Sequence, residues 1–282
     1  MKTPRLFLSL SAIGIIVGLV GICLSQLLHF VQYHTFGCGL DGGEIPFCIG
    51  VEQAPLWRRF AVVMLCSAVA GCGWFALKRY GRPLVGIKAL LAKPLEGLPF
   101  KETVCHALLQ IVTVGLGSPL GREVAPREMS AAFASLWVHR FGLDADEAKL
   151  LLACASGAGL AAVYNVPMAG VLFTLEVMLC AWDKKSVAAA LPASVTATAV
   201  ARYGLGDAVQ YHLPQAFLNT PLLVWSALAG PPVGAVATVF VRSTKHLPFL
   251  PRDNARIGKA GNQLGFAGML DGSGGPALFA AK

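Results

Sequence analysis

Residues 145–182 read ADEAKLLLACASGAGLAAVYNVPMAGVLFTLEVMLCAW. From Ala145 to Val163 the run is built largely from Leu, Ala, Gly and Ser. Small side chains of this kind let helices approach one another closely in lipid. Tyr164-Asn165-Val166-Pro167 then interrupts the run. Pro fixes its own φ and drives the preceding residue out of the helical region. Helical character resumes from Met168 to Trp182. A break inside an apolar helix leaves backbone N–H and C=O groups unpaired. Lipid tolerates this only where the break lines a cavity or lies against protein. Half-helices meeting near the bilayer midplane are how secondary transporters hold ions.

The rest of the chain supports a membrane reading. Its 282 residues are 55% hydrophobic and only 13% charged, with a mean hydropathy of +0.63. Soluble domains carry about 25% charged residues, so this apolar excess needs lipid to cover it. The stretch Leu6 to Phe30 spans about 25 residues. A cleaved signal has an apolar core of only ~7–15 residues, so a retained spanning helix over Leu6–Tyr33 is expected. Gly14, Gly18 and Gly21 recur along it at near-helical spacing. A polar loop follows at 34–55, with Asp41, Glu44 and Glu52 and no Lys or Arg, and then a second span, Arg58 to Leu77.

The next stretch carries Lys78, Arg79, Arg82, Lys88, Lys93 and Lys101. The positive-inside rule puts this stretch and the N-terminus in the cytoplasm and loop 34–55 outside, with Arg58 and Arg59 as the exception. The net charge of +8 is therefore read as topology. The aromatic-interleaved basic stripe of a single-strand binder is absent, and nucleic acid is not an expected partner.

Further apolar stretches run over Val104–Leu116, Ala125–Phe141, Val187–Tyr203 and Pro221–Val241. Several fall short of the ~20 residues needed to span. The expectation is an all-α polytopic membrane protein with broken and re-entrant helices. Residues 1–242 would form the membrane domain, and 243–282, rich in Gly, Pro and charge, a polar tail.

Of eight cysteines, Cys23, Cys66, Cys72, Cys105, Cys154 and Cys180 lie in or beside apolar segments, where they serve as small packing residues. Cys38 and Cys48 share the polar loop and would be free to pair in an oxidising compartment. His106 and His139 show no metal spacing, and no metal or cofactor is expected. Ser156, in Cys154-Ala155-Ser156-Gly157, has the Ser-Gly pattern of intramembrane proteases. Such chemistry needs a His base within hydrogen-bond reach, and a small-residue helix contact is the better reading.

Gly117-Ser118-Pro119-Leu120-Gly121-Arg122-Glu123 stands where one short helix ends and another begins, with Pro126 in the first turn of the second. A helix N-terminus offers unpaired N–H groups and about half a positive charge, enough to hold an anion. A carboxylate at that end can occupy the site, gate it and carry a proton. The alternative is a cap, with Glu123 paired to Arg122 or Arg127.

Residues 117–123 resemble the signature of the CLC chloride channels and proton-coupled anion transporters, in which a Gly-Lys/Arg-Glu-Gly-Pro run carries the gating glutamate. The stretch from Gly159 to Glu176 resembles a second CLC signature almost throughout. The resemblance implies the first inverted repeat of a CLC-like fold, extending over residues 6–243. It implies a non-enzymatic membrane protein that moves chloride or another small anion, possible exchange with protons, and a homodimer in the bacterial inner membrane. Mapped onto this sequence, it makes Glu123 the gate. Ser118, Gly121, Arg122, Glu123, Val124, Tyr80 and Gly81 become candidate anion-binding residues.

There are departures. Val124-Ala125 replaces Gly-Pro after the glutamate. Tyr80 stands where the family's Gly-Ser-Gly-Ile-Pro run would place an anion-coordinating Ser, with Gly81 and Pro83 fitting. Val177 occupies the place of the exchangers' second, inward glutamate. Channel-like conduction and the fluoride-transporting branch remain open readings, as does a non-transporting remnant or assembly subunit, because the family's second half has no counterpart past residue 241. Glu176, in an apolar helix, needs a partner: a buried structural carboxylate bonded to a helix N-terminus or to Asn165 is the better reading, and a place on the ion path the alternative.

Overall fold

A computed structural model describes residues 3–37, 47–206 and 219–246. Among these residues there is no strand. The helices are α1 (Thr3–Phe36), α2 (Phe47–Gln53), α3 (Leu56–Tyr80), α4 (Ile87–Ala92), α5 (Phe100–Gly115), α6 (Val124–Phe141), α7 (Ala145–Tyr164), α8 (Pro167–Phe173), α9 (Lys184–Leu205) and α10 (Thr220–His246). A π turn over Thr174–Leu179 continues α8. The all-α expectation holds. Four segments are long and apolar enough to cross a membrane: Leu6–Phe36, Leu56–Tyr80, Ala145–Tyr164 and Thr220–Ser243.

The chain divides into two units, Met1–Val209 and Gln210–Lys282. In the first, α7 is the hub. It lies against α1, α6, α8 and α9, while α5 lies on α1 and α6 and α3 lies outside on α5. The α7 residues from Leu150 to Gly159 are all buried. A helix covered on every side would be crowded by large side chains, and from Ala153 to Ala162 those of α7 are Ala, Gly and Ser save for Cys154 and Leu160. In contrast α3 buries only Val62 and Trp74 and exposes Leu56, Trp57, Phe60, Val63, Met64, Leu65 and Phe75. An apolar face of that extent suits contact with lipid. In the second unit no residue of α10 from Thr220 to Ser243 is buried.

Helix ends follow capping chemistry. Asp144 starts α7 by accepting from the Glu147 amide at 2.8 Å. Gly142, at φ 59°, closes α6 in the left-handed region that glycine adopts without cost. Asp183 starts α9 and accepts from the amides of Lys185 and Ser186, both at 3.1 Å, and from the Ser186 hydroxyl at 2.6 Å. The glycines of α1 sit at close helix contacts. A β-carbon on Gly14 would fall 2.9 Å from Thr196 Cβ, and one on Gly18 would fall 2.6 Å from Val200 Cβ, both on α9. One on Gly21 would fall 2.9 Å from Ala162 Cβ on α7.

Two short helices were not legible in the sequence. α2 lies inside the expected loop 34–55. Phe47 meets Phe36 edge-on, with ring centroids 5.3 Å apart. The Arg59 side chain donates to the Ala54 carbonyl at 2.8 Å and to that of Glu52, closing the α2 C-terminal end. Arg58 reaches the His34 carbonyl in the last turn of α1 at 3.0 Å. The pair of arginines that broke the charge pattern thus satisfies carbonyls at two helix ends. α4 sits within the basic stretch because Leu90 and Leu91 are buried in the main core. Residues 243–246, expected in the tail, are the last turn of α10. Cys38, the Cys48 side chain and residues 247–282 lie outside the described residues.

Gly18→Leu should force α1 from α9 and cost about 1–3 kcal/mol. Gly71→Leu, at a glycine of α3 with open space around it, should cost little. Thermal unfolding of the detergent-solubilised protein separates the two. The Ser186 hydroxyl first, then the amide N–H groups at the α9 N-terminus, hold the Asp183 carboxyl below its usual range. A lowered folded pKa gives stability that is present above the unfolded value of about 3.9 and is lost as pH falls through the folded one. Asp183→Ala should therefore lower the melting temperature at pH 7 and have little effect at pH 2.

Candidate functional site

α6 and α7 are joined by only Gly142, Leu143 and Asp144, so they run antiparallel. Their lengths, 18 and 20 residues, are about 27 and 30 Å at 1.5 Å per residue. The start of α6 therefore meets the end of α7. This brings Glu123 to Tyr164, 41 positions later, and the Tyr164 hydroxyl donates to Glu123 Oε1 at 3.0 Å.

Glu123 is the N-cap residue of α6, but its side chain does not cap the helix. The carboxylate folds back over Gly121, so closely that a β-carbon there would overlap Glu123 Oε2. Glycine at 121 is thus what gives the carboxylate its place. The N–H groups of Val124 and Ala125 have no partner within the helix, Pro126 has none to offer, and the α6 N-terminus carries its partial positive charge. The Arg122 guanidinium lies 4.9 Å from the Tyr164 ring centroid. Arg127 donates through Nε to the Glu123 carbonyl at 3.1 Å and lies 5.4 Å from the Phe173 ring centroid. Neither arginine forms an ion pair with the Glu123 carboxylate among the described residues. The alternative of an ion-paired cap is not what the geometry shows.

The loop before the site is tied to α5. The Gly117 amide reaches Val114 O at 3.0 Å and the Ser118 amide reaches Thr113 O at 3.0 Å. Gly117 needs its glycine, with φ +92°. Gln110, buried in α5, donates through Nε2 to the Gly121 carbonyl at 3.1 Å, while its own Oε1 is buried without a partner. Gln110 was missed in the sequence, where a lone glutamine in a short apolar helix gives no signal. Ser118 is half-buried, and its hydroxyl makes no hydrogen bond among the described residues.

Tyr80 and Gly81 lie elsewhere. Gly81 is the C-cap of α3, its amide bonded to Leu77 O at 2.8 Å. It therefore stands at the C-terminal end of α3, and the next helix, α4, starts at Ile87. Gly81 lies against Glu102 in the first turn of α5, whereas Gly121 follows the other end of α5, about 24 Å away along a 16-residue helix. Tyr80 is 84% exposed.

The break at 164–167 follows its sequence. Asn165 takes the left-handed conformation at φ 57°, and Pro167 opens α8. Arg202 of α9 donates through Nε to Asn165 Oδ1 at 2.5 Å. Thr174 donates its hydroxyl to the Gly170 carbonyl at 2.9 Å where α8 widens into the π turn. Glu176 is exposed on that turn, which corrects its expected burial against a helix end or Asn165. His106 is satisfied by Glu128 at 2.7 Å. No cluster of metal-ligating side chains occurs among the described residues. Ser156 is fully buried, and among the described residues its hydroxyl has no hydrogen-bond partner and no base of the kind a nucleophile needs.

The described residues thus form an apolar all-helical bundle with interrupted helices and a carboxylate beside a helix N-terminus. The profile of the voltage gated chloride channel family matches residues 64–269, and the chain belongs to that family. It is 28% identical over 251 residues to the H(+)/Cl(-) exchange transporter ClcA of Yersinia pseudotuberculosis, covering 85% of this chain and 50% of that protein. It is 30% identical over 174 residues to the voltage-gated ClC-type chloride channel ClcB of the same species, covering 59% of this chain and 41% of that protein. The chain thus spans about half the length of the curated relatives it matches. Its fold is similar to the crystal structure of a slow cyanobacterial Cl-/H+ antiporter, with a TM-score of 0.71 at 19% identity, covering 94% of this chain and 62% of that one. The chain is an integral membrane protein, as its family is.

Gln110→Leu removes both the bond to Gly121 and the unpartnered oxygen. The two effects oppose, so the melting temperature should change by less than the equivalent of about 1 kcal/mol. Amide hydrogen exchange across residues 118–124 should rise.

Proposed function

We propose that this chain carries the gate of a pathway for chloride or another small anion. The observation that carries this reading is the placement of the Glu123 carboxylate against Gly121 at the N-terminus of α6. There it stands beside the helix N-terminus, where an anion would meet the N–H groups of Val124 and Ala125. When the carboxylate leaves, or is protonated, the helix N-terminus is open to the anion. The same protonation gives Glu123 a proton to carry. Exchange of anion for proton is the activity named for one of the relatives. Val177 leaves Glu176 as the one carboxylate of the π turn, so an inward relay through a neighbouring pair is not part of this reading.

In this proposal residues 1–242 form the membrane domain, the N-terminus and the basic stretch 78–101 are cytoplasmic, and the host membrane is the bacterial inner membrane. The assembly is a homodimer. The lipid-facing α3 and the interrupted α7–α8 pair support the placement in a bilayer.

Liposomes loaded with chloride or fluoride test the function. The wild-type chain should release anion when a potassium ionophore clamps the voltage. Glu123→Ala should retain anion efflux and lose any accompanying proton movement. Absence of chloride and fluoride efflux from the wild-type protein, or unchanged flux and coupling in Glu123→Ala, would overturn the reading.

A further inference from the structure

We propose that Tyr164 is the latch of the gate: its hydroxyl holds the Glu123 carboxylate over Gly121, and opening requires that one hydrogen bond to break. The inference rests on reading Glu123 as the gate. Its ground is the set of bonds around the carboxylate. Two arginines flank Glu123, yet both are engaged elsewhere. Arg122 lies on the face of the Tyr164 ring, and Arg127 bonds the Glu123 backbone carbonyl and lies on Phe173. Among the described residues the only side-chain hydrogen bond to the carboxylate comes from Tyr164, at 3.0 Å.

The choice of donor matters. A bidentate arginine pair would hold a carboxylate firmly and with both charges engaged. A phenol is neutral, gives a single bond and leaves the second oxygen free, so the hold is selective in direction but weak enough to release. Tyr164 itself is held. It ends α7 immediately before the left-handed turn at Asn165, and Arg202 fixes that turn from α9. Arg122 restrains the ring from the other side. Tyr164 is thus a positioning residue on a rigid mount, and the moving part is Glu123.

Tyr164→Phe keeps the ring and its contact with Arg122 and deletes only the hydroxyl. Full-length protein in liposomes should then show anion efflux roughly tenfold faster than wild type, the scale of one hydrogen bond to a charged group. In the Glu123→Ala background the same substitution should add nothing. A mere packing role for Tyr164 would predict slower efflux in both backgrounds. A second readout does not need transport: coupling of glycine ethyl ester to Glu123 by a water-soluble carbodiimide, followed by mass spectrometry. Release of the carboxylate should speed its modification in Tyr164→Phe and leave that of Glu52 unchanged. Equal Glu123 modification rates in wild type and Tyr164→Phe overturn the latch. So does efflux from Tyr164→Phe that is no faster than wild type while wild type conducts. Silent efflux from every variant removes the transport reading, and the modification rate then decides the latch alone.

Discussion

The bundle depends on the close approach of helices to α7. In lipid there is little hydrophobic gain from burying one apolar surface on another, so helix association rests on dispersion contacts and on polar groups that meet. These need short distances, and short distances need small side chains. A β-carbon on Gly159 would fall 2.6 Å from the Pro126 carbonyl of α6, and one on Gly170 would fall 2.6 Å from Ala161 Cβ of α7. On Gly157 it would overlap the Thr174 hydroxyl of the π turn. Each of these contacts joins α7 to an element that shapes the site. The α6 contact aligns the helix whose N-terminus carries Glu123. The α8 and π-turn contacts hold the chain just beyond Tyr164.

The same economy of size explains the buried hydroxyls. Ser130, Ser156 and Ser194 are buried, and among the described residues their side chains have no hydrogen-bond partner. An unpartnered buried hydroxyl is costly, yet it is smaller than any aliphatic residue larger than alanine. The Gly159 approach to Ser130 and the Gly170 approach to Ser194 show these serines working as spacers. Ser156, with its Ser-Gly pattern, belongs to this set and not to a catalytic group.

The site lies where two chain breaks converge: the loop 116–123 between α5 and α6, and the turn at 164–167 between α7 and α8. Each break has a local cause. Gly117 supplies a positive φ, Asn165 supplies the left-handed cap, and Pro167 starts the next helix. Asn165 and Pro167 were legible because their conformational preferences are intrinsic. Gly121 was legible only as part of a motif, and its physical role, room for a carboxylate, comes from the folded geometry. Glu176 shows the converse. An isolated acid in an apolar run reads as buried, but the π turn rotates it to the surface. Tyr80 and Gly81 look equivalent to Gly121 as a Gly-containing break, yet Gly81 caps the helix before its break, whereas Gly121 lies two residues before the N-cap of the helix after its own.

Membrane embedding, the all-α class, the helix interruptions and the glycine face of α1 were fixed by composition, period and backbone preference, which are properties of the residues themselves. Residues 117–123 and 159–176 also carried the family. Which side chains surround Glu123 was decided only by the tertiary structure. The antiparallel α6–α7 hairpin brings Tyr164 to a carboxylate 41 residues away, α5 contributes Gln110 from below, and both flanking arginines turn to other partners. Such choices depend on helix length, rotation and register summed over whole elements, and no single stretch of sequence contains them.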